Sequence, residues 1–476
     1  MIVEERKSDS MLKVYNSLSR KKEEFISMEK GKVKMFVCGQ TVYDDAHLGH
    51  AKTYINFDVI VRWLRYIGFK VFYAQNITDI DDKIIKRANE RGISFKELSE
   101  FYIKRFFEDM TALGVKQSID LFPKSSEYIP QIIEQIQTLL KKGYAYVIDG
   151  DVYYDVNKFK DYTKLSRMSI DELVKHRIEP DTRKKNTYDF SLWKSAKPDE
   201  PSWDSPWGKG RPGWHIEDTA MTVSIFGSQY DLHGGATELI FPHHTNEIAQ
   251  AEAATGKKPF VKYWLHGGIF NIKGEKMSKS LKNFITIRES LKQYEPEILR
   301  MFYVSTHYRA PIDFDEDAIK QAKEKLEAFY NIINRIIDSM KDEKINDEKI
   351  QKSIEETKTK FTNAMNDDFN TPLALSILFE LAKEVNKFID ENAKISKDTG
   401  EKIIKTFREL GYIFGVLQKE IKKESLPKDI MDLIIKREGY RKRGDFSASD
   451  KIRNELAEKG ILVEDSPEGP RWKKIK

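Results

Sequence analysis

The stretch Met35-Phe-Val-Cys-Gly-Gln-Thr-Val-Tyr-Asp-Asp-Ala-His-Leu-Gly-His50 decides the fold of this chain. The apolar run from Val33 to Cys38 predicts a buried strand that breaks at Gly39, and apolar positions from Leu48 to Ile67 recur at helical spacing. The order strand, loop and helix is typical of an open parallel α/β sheet. In such sheets, ligands bind at the carboxyl ends of the strands, where helix N-termini favour phosphate.

Two histidines stand at the start of the predicted helix. His47 and His50 are three residues apart, so both can face one ligand, and Gly49 between them lets a flat ring approach the backbone. A histidine pair of this kind is by itself more often structural than catalytic. Far downstream, the polar segment Lys276-Met-Ser-Lys-Ser280 follows the predicted strand Ile269-Phe-Asn-Ile272.

These two motifs carry a family resemblance. His47-Leu-Gly-His50 and Lys276-Met-Ser-Lys-Ser280 resemble the two signatures of class I aminoacyl-tRNA synthetases, with Leu48 where isoleucine is commoner. Either motif alone is a weak signal, whereas the two in this order are specific.

Length, charge and cysteine content narrow the class of protein. The 476 residues exceed what one hydrophobic core usually serves, so several domains are expected. The formal net charge of +5 fits a polyanionic partner without requiring one. A single cysteine excludes an intrachain disulfide and favours a reducing, cytoplasmic setting. The charged N-terminus does not match a signal peptide, and no stretch matches a membrane span.

A candidate metal site combines three kinds of donor. His243 and Glu247 are four residues apart on one face of a predicted helix, and Pro242 suits the first turn of that helix. Cys38, the only cysteine, ends the predicted strand before His47. Thiolate, imidazole and carboxylate are donors that zinc takes. A single cysteine is, however, more often an inert buried residue, and polar pairs at this spacing are common without metal.

The chain resembles the cysteinyl-tRNA synthetase family over nearly its whole length. The resemblance implies ATP-dependent activation of L-cysteine to cysteinyl adenylate, followed by transfer to the terminal ribose of the tRNA for cysteine. The implied partners are L-cysteine, ATP with magnesium, and this tRNA, and the protein is expected to be a monomer. The segments that carry the resemblance are Val37-Cys-Gly39, Asn76-Ile-Thr-Asp-Ile-Asp-Asp82, Gly213-Trp-His-Ile-Glu217, Phe241-Pro-His-His-Thr-Asn-Glu-Ile-Ala249, Ser305-Thr-His-Tyr-Arg309, and Asp445 to Trp472.

The resemblance also implies a domain order. We predict an α/β fold with a Rossmann-like catalytic domain, an insertion domain, a helical bundle and a small C-terminal tRNA-binding domain. The predicted ranges are 1–115 for the first half of the catalytic domain, 116–206 for the insertion, 207–270 for the second half, 271–312 for the loop and stem-contact region, 313–420 for the bundle, and 421–476 for the anticodon-binding domain.

In that family two cysteines, one histidine and one glutamate bind an active-site zinc. By resemblance these positions fall on Cys38, Asp218, His243 and Glu247, so Asp218 replaces a thiolate. Either zinc remains, held by the other three residues with Asp218 or a water, or the metal is weakened or lost. The first alternative is favoured because three donors are kept in the family's order and context. A purely structural zinc is less favoured, since these donors come from the same strand ends as His47.

The remaining site residues are likewise implied by resemblance. The predicted catalytic residues are His47, His50, Lys276 and Lys279; the predicted ATP-binding residues are His47, Gly49, His50 and Lys279; the predicted substrate-binding residues are Thr41 and Trp214. The histidines would donate to phosphates and the lysines would neutralise pyrophosphate. Core packing is the alternative role for Trp214. A zinc that binds the substrate thiolate would separate cysteine from serine, which an apolar pocket cannot do strongly.

Three questions stay open at this point. The C-terminal basic residues and Trp472 suit RNA, or else form a solvated helix face with Trp472 in a small core. One alternative to a tRNA ligase is an adenylate-forming ligase that joins cysteine to an amino sugar. Such relatives lack a full anticodon-binding region, whereas one is predicted in this chain. The other alternative is a catalytically silent tRNA-binding paralogue. The presence of all four predicted catalytic residues argues against it: His47, His50, Lys276 and Lys279.

Overall fold

The computed structural model describes residues 11–169, 172, 182–198, 200–277, 283–343, 345–420, 426–466 and 469–474. The chain divides into two compact units, Met1–Gln418 and Lys419–Lys476. In these described ranges no helix has both the length and the apolar character that crossing a membrane requires.

Strands and helices alternate through the larger unit. Its strands are β1 (Lys13–Asn16), β2 (Lys21–Glu24), β3 (Lys32–Thr41), β4 (Lys70–Thr78), β5 (Ala145–Ile148), β6 (Asp151–Tyr154), β7 (Phe190–Ser195), β8 (Gly210–Pro212), β9 (Tyr230–Ala236), β10 (Val261–Gly267), β11 (Phe270–Ile272), β12 (Glu275–Lys276), β13 (Ile312–Phe314), β14 (Met340–Lys341) and β15 (Ile395–Ser396). Its helices are α1 (Leu48–Tyr66), α2 (Asp82–Arg91), α3 (Phe95–Ala112), α4 (Ile129–Lys141), α5 (Trp214–Phe226), α6 (Thr245–Thr255), α7 (Ile287–Leu291), α8 (Pro296–Val304), α9 (Glu316–Ser339), α10 (Glu348–Asn366), α11 (Thr371–Asn392) and α12 (Lys397–Phe414).

Four parallel strands form the central sheet, in the order β10-β9-β3-β4. β4 lies on one side of β3 and β9 lies on the other, so the strand order reverses between β3 and β9. The strands are largely buried, as expected for a parallel sheet whose faces are covered by helices. Ligands of open α/β sheets bind at such a reversal, which places the cleft at the carboxyl ends of β3 and β9.

The predicted break at Gly39 is wrong. β3 continues to Thr41, with an irregular register between Val37 and Gln40. A Cβ atom at position 39 would lie 1.7 Å from the backbone oxygen of Asn76 on β4. This glycine therefore allows two strands to approach closely and does not end the first of them.

Smaller sheets and a layer of helices complete the larger unit. β5 to β8 form an antiparallel sheet within the sequence that separates the two halves of the central sheet. After β10, β11 pairs with β12 in antiparallel and with β13 in parallel orientation. Helices α9 to α12 then pack through buried apolar residues such as Phe329, Phe361 and Phe407. The order of elements is the α/β arrangement that the sequence predicts.

The smaller unit contains α13 (Lys428–Lys442), α14 (Phe446–Glu458), β16 (Ile461–Ser466) and β17 (Gly469–Lys474). Trp472 packs, partly buried, against its apolar cluster, so the structure favours the small-core alternative for this side chain. Arg437 is only 1% exposed and donates to both carboxylate oxygens of Asp465, at 2.7 and 3.1 Å. Arg441 pairs with the same carboxylate at 2.7 Å. These two arginines are therefore engaged within the unit.

Candidate active site

His47 and His50 cap the start of α1 reciprocally. The backbone N–H of each residue donates to Nδ1 of the other, both at 3.3 Å, and the two rings stack with centroids 3.7 Å apart. Because each Nδ1 accepts a hydrogen bond, a neutral ring carries its proton on Nε2 and can donate it to an anion. Burial lowers the pKa of His50 well below its usual value, and the neighbouring His47 lowers it further. His50 is therefore a neutral hydrogen-bond donor at physiological pH.

The two predicted signature motifs meet at Gly49. A Cβ atom there would lie 3.0 Å from the His47 ring and 3.4 Å from the methyl carbon of Met277. Lys276 is the last residue of β12, directly before Met277. Lys279 lies outside the residues that the structure describes.

Cys38, Asp218, His243 and Glu247 converge in one buried cluster. One ligand atom from each lies within 4.8 Å of the others. Nε2 of His243 is 3.0 Å from Oδ2 of Asp218 and 2.9 Å from Oε1 of Glu247. The Cys38 thiol donates to Oδ2 of Asp218 at 3.6 Å. The structure thus brings together all four residues that the sequence suggests as metal ligands, including the aspartate that replaces a thiolate.

The helix that carries Glu247 begins where the sequence predicts. Phe241 has non-helical backbone angles, and from Pro242 onwards the turn Ile240–His244 continues directly into α6. Pro242 therefore lies in the first turn of this helical segment, as predicted. The continuous turn brings His243 and Glu247 into contact.

Further histidines, for which the sequence motifs indicate no role, surround the cluster. Nε2 of His233 and Nε2 of His244 lie 3.4 and 3.1 Å from the Cys38 sulfur. Together with Cys38 and Glu247 they form a second group of four whose ligand atoms lie within 4.8 Å of one another. A signal exists in the sequence, because five of the nine histidines fall in the short stretch 215–266.

Outer partners fix the orientation of these rings. The Tyr230 hydroxyl is 2.6 Å from Nδ1 of His233, and Nε2 of His266 is 2.8 Å from Nδ1 of His244. Nδ1 of His215 is 2.9 Å from Nδ1 of His243. Each of the three inner rings therefore has one nitrogen held by a neighbour and presents the other nitrogen to the cluster.

The protonation of the cluster is set by burial and by its two carboxylates. Burial raises the pKa of the Cys38 thiol well above its usual value, and Glu247 and Asp218 raise it further. Burial opposes protonation of His243, but Glu247 and Asp218 outweigh it and raise the pKa of His243 to about 10. Burial also raises the pKa of Glu247. The protein groups thus hold protons that a metal ion would displace.

The donor set fits a metal ion. Although Glu247 lies close to His243, neither of its carboxylate oxygens has a hydrogen-bond partner of good geometry among the described residues. A buried carboxylate without such partners is costly. A zinc ion among the thiolate, imidazole and carboxylate oxygens would offset that cost.

Trp214 lies beside this cluster, and Thr41 lies at the end of the strand that carries Cys38. Trp214 begins α5, one turn before Asp218, and its ring stacks on His243 with centroids 4.3 Å apart. Its side chain is 39% exposed, so full burial in a core, the alternative role, does not apply. Thr41 ends β3 in register with Thr78 at the end of β4. Both predicted substrate contacts therefore lie at the cleft edge of the central sheet.

Comparison with known proteins identifies related sequences and folds. Residues 24–324 match the family model of the tRNA synthetases class I (C) catalytic domain, and residues 360–418 match the DALR domain. The Cysteine--tRNA ligases of Thermococcus gammatolerans and Thermococcus onnurineus are 47% and 46% identical, each covering 98% of this chain and 99% of the relative. The methionyl-tRNA synthetase of Mycobacterium tuberculosis, solved with methionyl-adenylate, covers 80% of this chain and 88% of its own, with a TM-score of 0.58 and 14% identity. The predicted fold class is confirmed.

Proposed function

This chain belongs to the cysteine–tRNA ligase family of class I aminoacyl-tRNA synthetases, and we propose that the cleft at the ends of β3 and β9 carries out both steps of its reaction. The enzyme is an ATP-dependent ligase whose partners are cysteine, ATP and tRNA. The observation that carries the proposal is the placement of two groups at the carboxyl end of β3: Cys38 on this strand belongs to the buried cluster, and the stacked pair His47 and His50 begins α1, the helix that follows it.

In the first step, a carboxylate oxygen of L-cysteine bonds to the α-phosphorus of ATP while the bond to the β-phosphate breaks and pyrophosphate leaves. This step asks the protein for alignment and for stabilisation of developing negative charge. The Nε2–H groups of His47 and His50 would donate to phosphate oxygens. Lys276 and Lys279 would neutralise pyrophosphate, and magnesium would accompany ATP. Gly49 leaves room for the nucleotide at the start of α1, since any Cβ there would crowd His47.

In the second step, a hydroxyl oxygen of the terminal ribose of tRNA bonds to the carbonyl carbon of the adenylate and releases its proton, and AMP leaves with the electrons of the broken carbon–oxygen bond. We place the aminoacyl group near Thr41 and Trp214, because Thr41 ends the strand that carries Cys38 and Trp214 stacks on His243 of the cluster. The exposed part of the Trp214 ring is available to pack against the cysteine side chain.

We infer that zinc is the metal of the cluster and that Cys38, Asp218, His243 and Glu247 hold it. Zinc bound there would favour a thiolate over a hydroxyl and so select cysteine against serine. Of the two donor groups, this one lies on the side of the cleft, because His243 is stacked under the partly exposed Trp214. His233 and His244, the other histidines near Cys38, are completely buried.

No observation favours the two other functions considered from the sequence. Identity of 47% over 98% of the chain and the DALR match at residues 360–418 support a tRNA ligase over an amino-sugar ligase. The chain has the histidines and lysines of both signature motifs, which supports an active enzyme over a catalytically silent paralogue. These residues are His47, His50, Lys276 and Lys279. The domain boundaries, the monomeric state and the cytoplasmic location stay predictions.

The direct test measures metal content together with cysteine- and serine-dependent pyrophosphate exchange, before and after chelation of the purified protein. We expect close to one zinc per chain, loss of cysteine activation on chelation, and recovery when zinc is returned. Metal-free protein with full discrimination against serine would contradict the zinc assignment. Zinc-loaded protein without cysteine-dependent exchange would contradict the function itself.

A further inference from the structure

Lys52 is a buried ammonium on the same helix as the signature histidines. Its residue is only 4% exposed, and its Nζ donates to the backbone oxygens of Gly268 at 2.6 Å, Ala310 at 2.8 Å and Ile269 at 3.4 Å. Within the described ranges no carboxylate forms an ion pair with it. Burial lowers the pKa of Lys52 to about 8, so three carbonyl dipoles hold a charge whose burial is costly.

The three carbonyls belong to the base of the small sheet. Gly268 and Ile269 connect β10 to β11, which pairs with β12 and thereby carries Lys276. Ala310 precedes β13, the parallel partner of β11. The Lys52 ammonium therefore joins the starts of two neighbouring strands to α1.

The other end of the segment around Lys276 is also tied to the signature residues. The backbone N–H of Leu48 donates to the oxygen of Ile285 at 3.1 Å, and the N–H of Ile287 donates to the oxygen of Ala46 at 2.8 Å. Backbone bonds thus join the downstream end to the residues around His47, whereas among the described residues the hydrogen bonds between the upstream end and α1 come from the Lys52 side chain.

We propose that Lys52 is a positioning residue for cysteine activation: its ammonium holds the β11–β12 hairpin in register with the helix that carries His47 and His50. This inference rests on the proposed function, in which groups from both signature motifs act on one ATP. An ammonium suits this place because its three N–H groups match three carbonyls, and no neutral side chain supplies three donors from one atom. Displacement of reacting groups by about 1 Å costs about 100-fold in rate.

The test compares Lys52→Met with Lys34→Met. Both lysines donate to backbone oxygens, but Lys34 on β3 contacts Phe226, away from the hairpin, at 2.9 Å. We expect Lys52→Met to lower kcat for cysteine-dependent pyrophosphate exchange about 100-fold. The KM for cysteine should stay within about twofold, because the cluster around Cys38 is untouched. Single-turnover transfer from preformed cysteinyl adenylate to tRNA should be unchanged, since pyrophosphate has already left. Lys34→Met should match the wild type throughout.

A second variant acts from the opposite side of the contact. A Cβ atom at position 268 would lie 2.3 Å from the oxygen of Ala310. Gly268→Ala should therefore separate the carbonyls and reproduce the loss of kcat with an unchanged KM, even if Lys52→Met does not fold.

Three results would overturn the proposal: unchanged kcat in both variants, an equal loss in the transfer step, or a rise in the KM for cysteine as large as the fall in kcat. A wild-type protein that shows no cysteine-dependent exchange would overturn the proposed function as well. Normal exchange by the wild type with unaltered variants would overturn the role of Lys52 alone.

Discussion

Two buried charge clusters in the larger unit differ in how fully their polar atoms are satisfied. In the first, Asp58 lies between Arg62 and Arg300, and all three side chains are at most 6% exposed. Within the described residues none of their polar atoms lacks a partner. In the second, around Cys38, neither carboxylate oxygen of Glu247 has a hydrogen bond of good geometry to any residue that the structure describes, although Oε1 lies 2.9 Å from Nε2 of His243.

The Asp58 cluster is closed by protein groups. Nε of Arg62 donates to both Asp58 oxygens, at 3.0 and 2.9 Å, and Arg300 and Ser118 donate to the same carboxylate. The other guanidinium nitrogens of the two arginines donate to the backbone oxygens of Leu113, Gly114, Tyr412 and Phe414. These bonds tie α1 to the ends of α3 and α12.

This difference in hydrogen bonding indicates a structural role for the Asp58 cluster and a binding role for the Cys38 cluster. Burying charges costs free energy, and a cluster that satisfies every donor and acceptor internally offsets that cost without a ligand. A buried cluster whose carboxylate oxygens lack hydrogen bonds of good geometry can be completed by a cation, which here we infer to be zinc. Variants of the first cluster should therefore change stability, and variants of the second should change metal binding and cysteine activation.

The largest effect is expected for Asp58→Ala. Removal of this carboxylate leaves two buried guanidinium groups without their counter-charge, which should lower the free energy of unfolding by about 3–5 kcal/mol. Urea denaturation, monitored by circular dichroism, measures the change in the free energy of unfolding. Asp398→Ala, at an exposed pair with Lys402, is the control and should show no measurable change. If Asp58→Ala unfolded at the wild-type urea concentration, the cluster would not be the structural element that its bonding indicates.

The next effect in size is expected for Cys38→Ser in the second cluster. A hydroxyl is a poor zinc ligand, so kcat/KM for cysteine in pyrophosphate exchange should fall at least about 100-fold, or about 2.7 kcal/mol. The KM for ATP should stay unchanged because the stacked histidines are not altered. The urea midpoint should also stay close to that of the wild type. A loss of stability comparable to that of Asp58→Ala, with unaltered zinc content, would remove the distinction between the clusters.

A smaller effect is expected at Asp218. Asp218→Asn keeps the shape but removes the charge, and zinc affinity should fall about tenfold, as measured by competition with a chromophoric chelator. Asp218→Cys supplies a softer thiolate and should bind zinc at least as tightly as the wild type. Equal zinc affinity in all three proteins would show that Asp218 is not a ligand. The group that contains His233 and His244 would then be the better candidate for the metal site.

The sequence predicts the Cys38 cluster far better than the Asp58 cluster. Cys38, His243 and Glu247 are chemically distinctive residues in short motifs, so their types and spacing suggest a metal. Asp58 and Arg300 are 242 positions apart and ordinary in type. In the described part of the chain, four of the eight hydrogen bonds made by the side chains of Asp58, Arg62 and Arg300 end on backbone oxygens, which every residue has, and so no pattern of side chains marks the contact.

The same limit explains the other differences between sequence and structure. Gly39 is needed because β3 and β4 approach closely, and a sequence does not show which backbone lies next to a glycine. Lys52 acts through carbonyl groups of two distant segments. His233 and His244 could have been noticed from the concentration of histidines in one stretch, but their distances to Cys38 depend on how β9 and α6 pack.

The smallest effect is expected for Ser118→Ala, which removes one of several hydrogen bonds to the Asp58 carboxylate. This variant tests whether the remaining donors are enough to stabilise that carboxylate. Ser118 donates its hydroxyl to Oδ1 of Asp58, which also accepts from Nε of Arg62 at 3.0 Å. Ser118→Ala therefore leaves no charge unpaired and should cost only about 0.5–1.5 kcal/mol, without change in zinc content or kcat. Ser353→Ala removes an exposed hydroxyl that donates to a backbone oxygen, and serves as the matched control with no measurable change. A loss for Ser118→Ala as large as for Asp58→Ala would mean that the bonds act as one cooperative unit, because removal of a single neutral donor would then disable the whole cluster.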